Sequence, residues 1–217
     1  GHDITVYEAS NHIGGHSDTH SINDVPVDSG FIVFNYVNYP NFSKLLDELG
    51  VESQLSNMSF SSSNAKSGLE YNAENLNTLF CQRRNLISPA FYRMIFDIVR
   101  FYKDAARLLD DASNTMTLEE YVNVNGYSEL FINDHIYPMA CALWSSPVTR
   151  IKSFPVAYLA QFMANHCMLQ LGNRVPWRTI KEGSKSYVSA LTRNFKNKIR
   201  VSTPVRSIRR TDHSAVI

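Results

Sequence analysis

The sequence predicts an α/β fold in which a sheet-forming part is interrupted by a long helical block. Three observations predict it. Short runs rich in β-branched and aromatic residues, punctuated by Gly and Pro, fill residues 1–72. From about residue 88 to 167 the texture turns helical, with apolar residues at helical spacing. After residue 176 a helix and further strand-like runs follow. A helical insertion into an α/β domain produces that order. Residues 1–72 and 176–217 are therefore expected to form one domain, and 73–175 a largely helical second one.

Taken in order, Ile4-Thr5-Val6-Tyr7 reads as a strand ending at Glu8, followed by a turn at Gly14-Gly15. Val25-Pro26-Val27-Asp28 reads as a short extended piece ending at Gly30, and Phe31-Ile32-Val33-Phe34 as a strand buried on both faces. A helix follows, with Asn38 as its cap, Pro40 in its first turn, Leu45, Leu46 and Leu49 on its apolar face and Gly50 as its left-handed stop. Residues 52–72 look like strands joined by a turn at Ser61-Ser62-Ser63-Asn64.

The helix near 88–109 carries Arg93, Asp97, Arg100, Asp104 and Arg107 as a polar stripe. Most of its remaining surface is apolar, so burial on two sides, or a place in a cavity wall, is expected. Thr117-Leu118-Glu119-Glu120 is a capping box. Helices are expected near 128–142 and 155–168, and another from Ser184 or Ser186 to about Phe195. Lys198–Ser202 and Val205–Ile208 read as strands.

Composition narrows the function. The 217 residues include 21 Lys and Arg against 20 Asp and Glu, a net charge of +1 that offers nucleic acid no basic surface. Hydrophobic residues at 44% and aromatics at 12% describe a chain that folds. No apolar run approaches the roughly 18 residues that span a bilayer. The three cysteines, Cys81, Cys141 and Cys167, have no metal-ligand spacing and read as reduced thiols of a cytoplasmic protein. His2, His12, His16 and His20 fit no usual zinc motif, so no metal is expected.

Two constellations carry chemistry. In the first, Glu8 closes a strand ahead of Gly14-Gly15-His16-Ser17. A carboxylate offers only acceptors, which suits ribose hydroxyls, and paired glycines let backbone approach a pyrophosphate. A solvated Glu and a plain turn satisfy the same pattern. In the second, Asp28-Ser29-Gly30-Phe31 places a small residue where a flat ring could lie against backbone; it also reads as a simple turn.

Together the stretches "ITVYEASNHIGGHS" and "VPVDSGFIVFN" resemble the flavin-containing amine oxidase superfamily, and within it the bacterial predicted NAD/FAD-binding oxidoreductases. Similar stretches continue through "YPNFSKLLDELGV", "GLEYN", "LFCQRRNL", "PMACALWSSP" and "WRTIKEGSKSYV". Relatives include the amine-oxidase-like part of some cyclopropane fatty acid synthase fusions.

The resemblance implies an incomplete Rossmann-like FAD-binding domain with an inserted, largely helical substrate domain. By it, Glu8 holds the adenosine ribose of FAD, and Gly14 and Gly15 lie near the pyrophosphate and ribityl chain. Gly30 and Phe31 pass the isoalloxazine, Val205 meets the adenine edge, and Gly183 sits in a loop leading to a cofactor-side helix. His16 stands where many relatives have Arg, so it brings the diphosphate a smaller, pH-dependent charge. Trp144, His166 and Trp177 are candidates for lining a substrate cavity, although lone aromatics and histidines more often serve core packing.

The family's GxGxxG turn, which sets a pyrophosphate at a helix N-terminus, does not occur in the residues given. The chain opens Gly1-His2-Asp3 and stops at Ala215-Val216-Ile217 in mid-pattern. It is expected to be a fragment that alone binds FAD poorly and is inactive.

The expected function is an FAD-dependent oxidoreductase whose flavin accepts a hydride from an amine or a lipid-like substrate. No side chain reads as an obligatory acid or base. One alternative is a non-catalytic flavin- or nucleotide-binding module acting with a lipid-modifying partner. Another is an NAD-dependent dehydrogenase, disfavoured by the Gly-Gly pair and the long insertion. The helix near 88–109 also suggests peripheral membrane contact.

Overall fold

The structure is a computed structural model and describes residues 2–110, 115–170, 175–212 and 214–217. The chain divides into two compact units, one of residues 1–57 with 176–217, the other of residues 58–175. The first boundary thus falls at Asn57–Met58, and residues 58–72 group with the helices that follow them.

Strand β1 is short, Val6–Tyr7. β2 (Thr19–Ile22) and β3 (Val25–Asp28) form an antiparallel hairpin, with Thr19 opposite Asp28 and Ile22 opposite Val25. Its two-residue turn is Asn23-Asp24, at φ 50° and 62°. Asn and Asp tolerate that left-handed pair, whose twist matches the flanking strands. Residues 31–34 are not the expected doubly buried strand. Phe34 is fully buried, but Ile32 is exposed, and only Phe34 bridges to Arg178, through bonds of 2.9 and 2.8 Å.

Helix α1 (Pro40–Leu49) stops as expected at Gly50, φ 65°, and starts at Tyr39 without a side-chain cap. Asn38 lies one residue before the capping position, and its N–H bonds to Asn35 Oδ1 at 2.8 Å. β4 is Ser53–Leu55.

In the second unit, β5 (Ser61–Asn64) and β6 (Leu69–Asn72) pair antiparallel. The serines expected in the turn are therefore strand residues. Asn64 Oδ1 accepts from the Lys66 N–H at 2.9 Å and Gly68 takes φ 67°, so the turn lies at 65–68. Leu69 and Tyr71 face the core while Glu70 faces out, the period of a half-buried strand.

α2 (Leu76–Leu79) and a 3₁₀ turn (Arg83–Ile87) lead into the long helix α3 (Pro89–Asp110). The capping box holds at α4 (Leu118–Val124): Glu120 N–H bonds Thr117 Oγ1 at 3.2 Å, and Thr117 N–H bonds Glu120 Oε2 at 2.9 Å. α5 (Glu129–Phe131) runs through a π-helical turn (Ile132–Ile136) into α6 (Tyr137–Trp144). α7 (Val148–Lys152) and α8 (Val156–Asn165) complete the unit.

The core of the second unit packs Met94, Ile98, Phe101 and Ala105 of α3 against the surrounding helices. Burying each large side chain contributes about 1.5–3 kcal/mol. The polar stripe of α3 turns inward at Asp97 and outward at Arg93 and Arg107, whose side chains are 51% and 84% exposed. Asp97 is 0% exposed and accepts the Ser128 N–H at 2.9 Å and Arg93 Nε at 3.2 Å. Arg100 donates to the Asn125 carbonyl and stacks 3.7 Å from the Tyr127 ring centroid. The stripe closes against the loop after α4 because that loop offers free carbonyls and an N–H, which charged groups satisfy well.

Back in the first unit, β7 (Arg178–Ile180) pairs antiparallel with β4. α9 (Lys185–Thr192) continues into a 3₁₀ turn. β8 (Ile199–Arg200) runs parallel to β1, with Val6 opposite Ile199. Residues 205–208 do not form the expected strand; β9 (Arg209–Arg210) and β10 (Ala215–Val216) pair after them. A small core of Phe34, Leu46 and Ile180 joins α1 to β7. Among the described residues, no helix is long and apolar enough to cross a membrane.

Candidate functional site

The parallel pair β1–β8 fixes Glu8. Its N–H bonds the Arg200 carbonyl at 2.9 Å, and its carbonyl accepts from Thr203 N–H at 2.8 Å. Glu8 thus stands at the carboxyl end of parallel strands, where open α/β sheets bind ligands. Its carboxylate is half-buried, and Oε1 accepts the Ser10 N–H at 2.7 Å. Oε2 has no partner among the described residues.

The Gly14-Gly15 turn follows. Gly14 takes φ 120°, and its would-be Cβ would lie 2.8 Å from the Ser17 carbonyl oxygen, so the turn needs glycine there. Gly15 takes φ 56° with nothing within 4 Å of a would-be Cβ. That face of the backbone is open, as close approach of another molecule requires. His16 is exposed, and its carbonyl accepts the Phe31 N–H at 2.7 Å.

The two constellations seen in the sequence therefore meet. Gly30 crosses the backbone of His16 so closely that a Cβ would stand 2.3 Å from its oxygen. The small residue at Gly30 serves this chain crossing, and the face expected to receive a flat ring is filled by His16.

Asp28 ties this corner to α9. Its Oδ1 accepts from Thr19 Oγ1 at 2.6 Å, the Ser184 N–H at 2.9 Å and Ser184 Oγ at 2.7 Å. Lys185 N–H in turn bonds Thr19 Oγ1 at 2.9 Å, and Ser17 hydrogen-bonds Tyr187. An anionic acceptor at the start of α9 satisfies its free N–H groups and suits its positive end. Sequence reading missed Asp28 and Thr19 in this role. The partners are 156 and 166 positions away, and a cap supplied from that distance has no local pattern.

Beside β8 and α9 lies an open groove of about 320 Å³, lined by His12, Ile13, Lys185, Val188, Lys196 and Val201 among others. Asp18 sits 3.1 Å from His20 Nε2 and 3.8 Å from His12 Nε2. Among the described residues no cluster suits a metal ion.

Val205 is exposed two residues after Thr203, the residue bonded to Glu8. In the second unit, Trp144 packs 4.8 Å from Phe154 and 4.9 Å from Phe162, and His166 stacks on Phe162 at 4.1 Å. Trp144 and His166 thus share one aromatic cluster. Trp177 belongs to the first unit, where its carbonyl accepts the Ser56 N–H at 2.9 Å.

A dinucleotide fits the first group of residues. Glu8 has one uncommitted carboxylate oxygen at a strand's carboxyl end, and Gly15 presents unobstructed backbone a few residues on.

Comparison with known proteins is consistent with this geometry. A putrescine oxidase solved with putrescine bound matches with a TM-score of 0.66 at 17% identity, over 97% of this chain and 48% of its own. A triple mutant of putrescine oxidase gives 0.66 at 13%, with the same coverage. A protoporphyrinogen oxidase candidate from Exiguobacterium sp. 255-15 gives 0.57 at 15%, over 98% of this chain and 49% of its own. The chain therefore spans about half the length of these structures, and at such identities the likeness is one of fold. That fold is a Rossmann-like α/β FAD-binding domain with a largely helical insertion. A search of curated proteins found no match. The family model for flavin containing amine oxidoreductases matches residues 1–217. The chain belongs to that family, the flavin-containing amine oxidoreductases, whose cofactor is FAD.

Proposed function

We propose that the protein is an oxidoreductase that transfers a hydride from a small amine to FAD. The observation that carries this reading is the conjunction at one sheet end of Glu8, half-free, and Gly15, unobstructed, in a chain whose whole length matches the family. FAD, when bound, supplies the acceptor for the two electrons and proton lost from the carbon beside the amine nitrogen.

The chain's own residues bind and orient. Glu8 Oε2 accepts from ribose hydroxyls of the adenosine. The backbone at Gly14 and Gly15 admits the pyrophosphate, and the exposed His16 ring stands next in the chain. Lys185 and Lys196 of the neighbouring groove complement a diphosphate's charge. Gly30 and Phe31 buttress the turn from behind, and Val205 offers backbone to the adenine edge. In the second unit, Trp144 and His166 with their aromatic neighbours are the proposed wall against which a substrate is held; Trp177, in the first unit, is a separate candidate. The substrate is an amine or a lipid-like molecule, and the location is cytoplasmic.

The test is the visible spectrum of the intact protein. Flavin that co-purifies and is bleached anaerobically by an amine supports the proposal. Protein free of flavin that takes up none on titration with FAD overturns it.

A further inference from the structure

Helix α3 leaves two aromatic side chains in water: Tyr92 and Phe96, one turn apart, are 48% and 59% exposed. The preceding 3₁₀ turn adds Leu86 at 49% and Ile87 at 86%. The patch is fixed in place. Tyr92 donates its hydroxyl proton to the Leu86 carbonyl at 3.1 Å, Phe80 packs 5.8 Å from the Tyr92 ring, and the Arg93 guanidinium lies 5.8 Å from the Phe96 centroid.

Within its own stretch of chain the charge has one sign. Residues 76–96 hold three arginines and no acidic residue. Arg93 is paired with buried Asp97. Arg83 and Arg84 are held only by neutral acceptors: the Phe80 carbonyl and Asn77 for the first, the Gly68 carbonyl and Gln82 for the second. Neither forms an ion pair among the described residues.

We propose that this face docks on an anionic lipid surface, with Leu86 and Ile87 entering the acyl boundary, Tyr92 and Phe96 at headgroup level, and Arg83 and Arg84 on lipid phosphates. The chemistry of each part matches. Protruding aliphatic tips gain by leaving water, aromatic rings favour the membrane interface, and a guanidinium fork fits a phosphate. A second copy of the chain is disfavoured, because two-fold symmetry sets a patch against itself and would oppose the arginine pairs.

The test is flotation with vesicles of phosphatidylcholine alone or mixed with phosphatidylglycerol. Wild-type protein is expected to float only with the anionic vesicles, and less as salt rises. Arg83→Gln with Arg84→Gln should weaken binding roughly 30-fold and flatten the salt dependence, at about one lipid-facing charge per residue lost. Leu86→Ser with Ile87→Ser should abolish flotation while the slope for any residual binding stays. All four positions are exposed, so circular dichroism should be unchanged. No flotation of the wild type, flotation indifferent to both double variants, or concentration-dependent self-association that Ile87→Ser removes would each overturn the proposal. The FAD reading does not depend on the outcome.

Discussion

The buried imidazole of His135 should set the acid limit of the second unit. It is 2% exposed, in the π-helical turn, and its Nδ1 lies 2.7 Å from the Tyr71 hydroxyl. Because that hydroxyl donates to the Asp134 carbonyl at 3.0 Å, it accepts from Nδ1–H, and Nε2 is left as a buried lone pair without a partner. Burial lowers the pKa of His135 from 6.5 to about 3. The unfolded chain therefore takes up a proton below pH 6.5 that the folded unit refuses until about pH 3. Stability is fully present above pH 6.5 and falls as pH drops through that window. Between pH 7 and 4.5 the loss works out to about 2.5 kcal/mol from this one group. That is a large share of the roughly 5–15 kcal/mol that holds a domain folded. Asp97 does not interfere. Burial raises its pKa, but hydrogen bonds from Ser128 and Arg93 outweigh that and hold it below the usual 3.8, so its contribution is lost only at lower pH. The perturbation is His135→Phe, which keeps a ring against Phe60 and Phe131 and leaves Tyr71 its bond to Asp134. The assay is urea unfolding at pH 7, 6, 5 and 4.5 in a Trp177→Phe background, where Trp144 alone reports on the unit. The variant should match the wild type within about 1 kcal/mol at pH 7 and lose about 2.5 kcal/mol less on acidification. Equal pH slopes in the two proteins would refute the argument.

Three further outcomes are expected. Glu8→Ala in the intact protein should weaken FAD binding by about 10- to 100-fold, the worth of hydrogen bonds to a charged acceptor, with melting unchanged; flavin fluorescence titration reads this. Gly15→Ala and Gly30→Ala should part company. The first costs stability about 1 kcal/mol, for a left-handed alanine facing open space, yet impairs FAD binding. The second forces a methyl into the His16 carbonyl and should lower stability by about 2 kcal/mol or more in thermal melts. Asp28→Ala leaves the Ser184 N–H and the Thr19 hydroxyl without their acceptor and should cost about 2 kcal/mol in urea unfolding, with hydrogen exchange quickened first at the start of α9.

Local chemistry makes several elements legible in the sequence itself. Gly50 stops α1 because a left-handed residue is needed there, and the Thr117–Glu120 box opens α4, since both signals act within a turn of themselves. The same locality explains the misses. Asn38 has the right chemistry for a cap, yet the helix begins one residue later, with Tyr39 at the cap position. The serines at 61–63 suit a turn, but Asn64 and Gly68 make a better one four residues on. The stripe on α3 has helical spacing, and spacing cannot tell solvent from a loop rich in unsatisfied carbonyls. Glu8, Gly14 and Gly15 could be proposed together because they lie within eight positions of one another. The crossing of Gly30 over His16 and the reach of Asp28 to Ser184 could not be, because each joins segments that only folding brings together.

That reach of Asp28 bears on how such a chain can change over generations. One carboxylate oxygen and its three donors close a ring through the backbone from β3 to α9, and everything between them is, for that contact, slack. The entropy of closing a long ring grows only with the logarithm of its length, about 0.6 kcal/mol for each doubling. Residues 58–175 can therefore be lengthened, trimmed or replaced wholesale at little thermodynamic expense to this corner, provided the two ends still bring Asp28 and Ser184 together. Sequence variation can thus accumulate in that interval while the contact of Asp28 with Thr19 and Ser184 stays the same.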